Sequence, residues 1–333
     1  MFLREIDHLS VTILMDNYTD RLLPTSLPAI RPPMIMHGRF LPAPIAEHGF
    51  STIIEIRYND NKNIFLFDTG VSENGIIFNA DIFGIDLKNI EAIILSHGHL
   101  DHCSGLLNVL KRMSKPINVI AHPDAFLKRW LVYPDGNRAK MPVLDEKELE
   151  NNGATVHKIR NINFLPSNND DHDGAGGDGN GGGGGVSSPL MITGQIPRET
   201  SFEKGFPLQY AEIQGEKELI HDPLVNDDQA IIVNIKQKGL VILTGCGHAG
   251  IINTINYAKK VTKINKVFAV LGGFHLTGGI YEEAIEPTIK ELQRADPKYI
   301  IPCHCSGWKA TNKIIEMMPE KFIQTSVGTS FNF

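Results

Sequence analysis

The stretch that most constrains this chain runs from Ile93 to Gly105: Ile-Ile-Leu-Ser-His-Gly-His-Leu-Asp-His-Cys-Ser-Gly. A short apolar run, Ala92 to Leu95, predicts a buried strand. It empties at once into His97, His99, Asp101 and His102, four ligand-type residues within six positions. His97 and His99 are two apart, so in an extended segment they leave on the same side and can grip one ion. Asp101 and His102 follow in a turn, with Gly98 giving the backbone room. Imidazoles and a carboxylate suit a divalent metal, zinc first, with iron or manganese as further fits. A solvated charged turn would not concentrate four such residues directly after a buried strand. The pattern predicts a metal site holding one or two ions.

The bulk of the chain sets the outer bounds. At 333 residues and 42% hydrophobic content it can bury a large core. A net charge of −6 without a basic cluster argues against nucleic acid as a partner. Cys103, Cys246, Cys303 and Cys305 lie beside candidate ligands rather than at disulfide-like spacing, which suits a reducing compartment. The N-terminus lacks the pattern of a signal peptide, and no apolar run is long enough to span a membrane. The expectation is a cytoplasmic protein that acts on a small molecule and keeps off membranes.

Taken in order, Leu9–Met15 predicts a first strand. Prolines at 24, 28, 32, 33, 42 and 44 predict a long loop over residues 19–46, either a lid near the site or an arm for a homo-oligomer. Thr52–Tyr58 and Ile64–Phe67 read as a hairpin with a turn over 59–63. Residues 74–83, 106–113 and 145–151 read as helices, Ile117–Ala121 and Thr155–Ile159 as strands, and Asp124–Trp130 as a further helix. Ser167–Ser188 is a low-complexity insertion, with nine glycines among residues 174–185, and it has no apolar content to order it. His172 lies within it. A second series follows: a strand over 189–193, a hairpin of Ala230–Ile235 and Leu240–Thr244, and a buried strand Lys266–Leu271. Helices over 251–260 and 281–294, a short strand Tyr299–Ile301 and a helix over 310–317 complete it. Ligand-type residues sit repeatedly just after strand ends. Such a chain predicts one domain over 1–333, an α/β fold built as a two-sheet αββα sandwich with its site along one edge.

The His-x-His-x-Asp-His arrangement after a hydrophobic strand, with Ile64-Phe-Leu-Phe-Asp68-Thr-Gly70 upstream, resembles the signature of the metallo-β-lactamase superfamily. The resemblance implies the αββα fold, with His97 and His99 on one metal, Asp101 and His102 on a second, and Asp68 supporting the ligand loop. It places His304, after the last strand, on the second metal, and makes His248 the third histidine of the first. Many members carry a bridging aspartate where this chain has Cys246, leaving that thiol as either a softer ligand or a buried bystander. His275, in Gly-Gly-Phe-His-Leu, is expected to contact substrate or serve as general acid, and Phe274 and His48 to face substrate. His122 after its strand is a further candidate.

Several stretches together resemble one subgroup, the dihydropterin ribofuranosyl-aminobenzene phosphate synthase-like proteins: Leu14–Asn17, Glu47–Ser51, Phe67–Gly70, Ser96–His102, Thr244–His248, Leu271–Leu276 and Pro302–Gly307. Three functions are thereby set against one another. The first is a metal-dependent hydrolase acting on a small phosphorylated or ester substrate through a metal-bound hydroxide, with Asp101 orienting that nucleophile. The second, which the subgroup implies, is a transferase of methanopterin-type cofactor synthesis joining a dihydropterin diphosphate to an aminobenzene ribofuranosyl phosphate. The third is a non-catalytic metal or ligand sensor. No Walker-type phosphate loop is present, so the backbone N–H groups near Gly245, Gly247 and the Gly-Gly before Phe274 are the candidates for holding phosphate.

Overall fold

The computed structural model describes residues 2–36, 38–165 and 187–333. Its first sheet is built from β1 (His8–Met15), β2 (Ser51–Tyr58), β3 (Asn61–Phe67), β4 (Ala92–Ile94), β5 (Ile117–Ala121) and β6 (Ala154–Lys158). The second holds β7 (Leu190–Ile192), β8 (Ala230–Ile235), β9 (Gly239–Thr244), β10 (Val267–Gly273) and β11 (Tyr299–Cys303). A last strand, β12 (Ser330–Asn332), returns to the first sheet beside β1. The orders are β6-β5-β4-β3-β2-β1-β12 and β7-β8-β9-β10-β11. In both, hairpins form the antiparallel part, while β3-β4-β5-β6 and β9-β10-β11 run parallel.

Period-two patterning explains the layering. In β2, Ile54, Ile56 and Tyr58 face the second sheet, whereas Ile53 faces outward toward helices. Phe65 and Phe67 of β3, Val241 and Leu243 of β9, and Ala269 and Leu271 of β10 fill the same middle core. Each outer face is covered by helices with apolar stripes. Over the first sheet lie α1 (Gly75–Phe83), α2 (Leu106–Met113) and α3 (Glu146–Asn151). Helix α2 buries Leu106, Val109, Leu110 and Met113, the i, i+3, i+4, i+7 spacing of a single face. Over the second sheet lie α4 (Ile251–Thr262), α5 (Ile285–Ala295) and α6 (Trp308–Met317). This is the αββα sandwich that the strand and helix pattern predicts. Among the described residues no helix is long and apolar enough to cross a membrane.

Several local expectations need correcting. The segment expected as a helix over Asp124–Trp130 is a short 3-10 turn, Pro123–Phe126, followed by a strand, Arg129–Val132. Proline at the first position permits the turn, but Arg129 is drawn off it into a small separate sheet with Arg138–Lys140, Gln209–Ala211 and Ile220–His221. The turn expected over 59–63 is confined to Asn59 and Asp60, because Asn61–Asn63 extend β3. The proline-rich segment does lack long elements, but Ala29–Ile30 pairs with β12 at the sheet edge. Arg31 ties it there by donating to Thr329 Oγ1 and to the Gln324 carbonyl. Among the described residues of 19–46 none borders the two cavities beside the ligand residues, although Tyr18 and His48 on either side of the segment do. The insertion over 167–188 lies outside the described residues except for Ser187 and Ser188, which pair with Phe2 and Leu3. His172 lies outside the described residues too.

Candidate metal centre

Because neighbouring parallel strands end on the same edge, the loops after β3, β4, β9, β10 and β11 meet there. They bring together every ligand candidate of the sequence. His97, His99 and His248 form one group, and Asp101, His102, Cys246 and His304 a second, with the ligand atoms of each group within 4.8 Å of one another. A third group, Cys246, His248 and His275, overlaps both, so the Cys246 thiol stands between them.

Hydrogen-bond partners fix which nitrogen is free on His97, His99, His102 and His304. The Ser96 hydroxyl donates to Asp68 Oδ2 (2.7 Å), so at 2.8 Å it accepts the Nδ1 proton of His97, leaving His97 Nε2 buried without a partner. His99 Nε2 donates to Gln209 Oε1 (2.5 Å), and the Gln209 amide nitrogen donates in turn to Asp222 Oδ2, which fixes the orientation. His99 Nδ1 is therefore a lone pair, 3.1 Å from His248 Nε2. In the second group, His102 Nδ1 donates to Asp68 Oδ2 (2.7 Å) and His304 Nδ1 to Asn17 Oδ1 (3.1 Å). That turns the Nε2 atoms of His102 and His304 toward each other at 3.2 Å, with Asp101 Oδ2 3.1 Å from the latter. Three acceptor atoms this close are held together by a shared proton or by a bound cation. A divalent metal fits both groups on this chemistry.

The backbone is forced to deliver these side chains. Asp68, His275 and His304 adopt left-handed φ values of 60°, 46° and 47°, each costing about 1–2 kcal/mol for a side-chain-bearing residue. Gly98 is compelled by crowding, since a Cβ there would meet the Ala125 carbonyl oxygen at 2.2 Å. At Gly245 a Cβ would stand 2.1 Å from Ser96 Oγ and 2.7 Å from Asp68 Oδ2, so the Asp68–Ser96 support can close only over a glycine.

Residues that the sequence reading missed hold the ligand loop from behind. Asp227 accepts the Gly98 N–H at 2.8 Å and a bidentate contact from Arg129, both side chains being buried. Arg129 also reaches Asp222, which holds Gln209. One buried ion-pair network thus fixes both the loop and His99.

A sequence profile of the metallo-β-lactamase superfamily matches residues 46–193, which contain Asp68 and the whole ligand loop. A Methanocaldococcus jannaschii protein described as 7,8-dihydropterin-6-methyl-4-(β-D-ribofuranosyl)-aminobenzene-5′-phosphate synthase is 31% identical over 294 residues, 86% of this chain and 90% of that protein. The chain belongs to the metallo-β-lactamase superfamily. An uncharacterised protein of the same organism is 33% identical over 283 residues, covering 85% of this chain and 92% of its own length. The crystal structure of a metal-dependent hydrolase of the superfamily superposes with a TM-score of 0.69 at 22% identity, covering 97% of this chain and 98% of that one, which shows the shared fold.

Within this superfamily frame the two groups differ electrostatically. Burial pushes the His97 and His248 imidazoles far below their ordinary value, and lowers His99 to about 4 with help from Arg129. Burial acts the same way on His102, but the Asp68 and Asp101 carboxylates outweigh it and hold that ring up to about 9. Burial and the neighbouring Cys305 raise the Cys246 thiol well above its usual range.

The remaining candidates separate. His275 borders a cavity of about 200 Å³ with His248, Lys204 and Tyr281, and its ring also meets the Cys305 thiol. His48 borders a second cavity, of about 400 Å³, together with His304, Asp16, Tyr18 and Trp308. Phe274 touches the smaller cavity, yet its buried side chain belongs to the core under α4–α6. His122 accepts the Asp124 N–H as a cap of the 3-10 turn and joins neither ligand group. Of the backbone donors expected for phosphate, those of the Gly-Gly-Phe stretch are engaged: Gly273 N–H goes to the Gly245 carbonyl and Phe274 N–H to Ser306 Oγ. The first turn of α4 is likewise occupied, by Glu203.

Proposed function

We propose that the protein is a metal-dependent transferase that joins a dihydropterin diphosphate to an aminobenzene ribofuranosyl phosphate, with diphosphate leaving. The observation that carries this reading is that His248 of one ligand group and His304 of the other line separate cavities, room for two substrates beside one centre. The named synthase relative supports it, since 90% of that protein is covered. His97, His99 and His248 would hold one divalent ion, and Asp101, His102 and His304 a second, with Cys246 shared; zinc suits this set best. A bound divalent ion supplies Lewis-acid polarisation and neutralises a diphosphate leaving group.

The chain's own residues do the rest. Lys204, at the cavity beside His248, offers an ammonium to a phosphate in place of the engaged backbone donors. As the C–N bond forms and the C–O bond to diphosphate breaks, the arylamine nitrogen must lose a proton. The His275 imidazole, lining the same cavity, is the group placed to take it. Asp68, Gln209 and Asn17 keep the ligand rings in the tautomer that turns a lone pair inward. The exposed Leu22, Leu27 and Phe40 of the proline-rich segment supply the surface a homo-oligomer would cover.

Hydrolysis of a phosphorylated or ester substrate is the second reading, favoured by the all-histidine group, a set with which zinc lowers the pKa of bound water to about 7. Incubating the metal-loaded protein with dihydropterin diphosphate, with and without the arylamine, decides between them. Diphosphate release only with arylamine, together with the coupled product, supports the transferase. Release without arylamine makes it a hydrolase, and no turnover with full metal content refutes both.

A further inference from the structure

The cavity beside His304 carries a feature that the ligand groups do not use. Asp16 lies at the end of β1 and is 1% exposed. One carboxylate oxygen, Oδ1, accepts the N–H groups of Asn17 and His304, both at 2.8 Å. The other, Oδ2, has no partner, and the residue lines the cavity wall. A buried carboxylate oxygen without a donor is costly unless a ligand supplies one. The wall also carries Trp308, 67% exposed, with its ring edge-on to Tyr18 at 6.3 Å. An indole left open to solvent beside an unsatisfied carboxylate matches a flat heterocycle that presents N–H donors at its rim.

We propose that this cavity binds the pterin ring, its 2-amino and adjacent ring N–H edge donating to the Asp16 carboxylate while Trp308 covers its face. The assignment rests on the transferase reading for its choice of heterocycle. It makes Asp16 a specificity residue and leaves the cavity with Lys204 and His275 to the phosphorylated arylamine.

Pterin and lumazine, which differ in a 2-amino group replaced by a carbonyl, provide the test. Binding of each to the zinc-loaded protein is measured by calorimetry. Pterin is expected to bind at least about tenfold more tightly, because lumazine turns an acceptor toward a carboxylate. Asp16→Asn, whose amide keeps the Oδ1 contacts but offers a donor, should lose or reverse that preference at unchanged metal content. Trp308→Ala should weaken both ligands alike and preserve their ratio. Equal affinity for the two ligands in the wild type, or no pterin binding at millimolar concentration, overturns the assignment. So does an Asp16→Asn protein that keeps both its metal and its preference. Selective pterin binding without coupled product would sink the transfer reaction while leaving the cavity assignment standing. Product without selective binding would do the reverse.

Discussion

The two ligand groups share one edge of the sandwich but are built on opposite principles. His97, His99 and His248 are neutral rings, kept so by burial and aimed by neutral partners, the Ser96 hydroxyl and the Gln209 amide. Asp101, His102 and His304 sit beside carboxylates, and there the proton itself competes for the place of a metal. The first group is preorganised for a cation at any pH near neutrality, whereas the second must release a proton to accept one. Proximity along the ligand loop therefore does not make the two sites equivalent.

The largest effect expected from breaking this comparison is at His99. His99→Ala removes a ligand that no neighbour replaces, so activity should fall by more than about a hundredfold, beyond what loss of a supporting partner costs. Elemental analysis should show one ion fewer per chain, and full metal content would remove His99 from the ligand set. Next comes Cys246→Ala. If the thiol is shared, metal content falls from close to two ions to one; an unchanged count makes Cys246 a bystander. Asp68→Asn should weaken the metal at His102 by about 10–100-fold and the all-histidine group less, because it reaches His97 only through Ser96, a difference that competitive chelator titration resolves. Gln209→Ala should do the opposite at the lower end of that range, so equal losses at both groups would erase the distinction.

The smallest effect is a pH slope in the metal-free protein. His102 is raised in the folded state, so its contribution is fully present below about 6.5 and is lost as pH rises through about 9. The melting temperature of the metal-free wild type should therefore fall across that window more steeply than that of Asp68→Asn. Parallel curves would show that Asp68 does not hold the proton on His102.

Much of this was legible in the sequence, for reasons that can be named. The ligand loop is local, and strand periodicity placed its distant partners His248, Cys246 and His304 at strand ends. Asp68 was legible only through family resemblance, and the structure shows how it acts, bracing His102 directly and His97 through Ser96. Gln209 and Arg129 were not legible at all. Gln209 meets His99 across 110 positions and sits in a segment without periodicity. Arg129 is a charged side chain only 2% exposed, and composition assigns such a residue to the surface. Phe274 belongs to both settings, its ring serving the core while the residue lines the smaller cavity beside His275.

The origin of the ligands also has a mechanical consequence. Each group draws on loops of both sheets: His97, His99, Asp101 and His102 follow β4, whereas Cys246, His248 and His304 follow β9 and β11. All four cysteines are free, so among the described residues no disulfide ties the layers together. An ion in either group would rivet one sheet to the other at their shared rim. At a thousandfold excess over its dissociation constant, that fastening contributes about 4 kcal/mol. The two halves of the sandwich would then melt as one body when loaded, with the rim as the first place to part once the rivets are drawn.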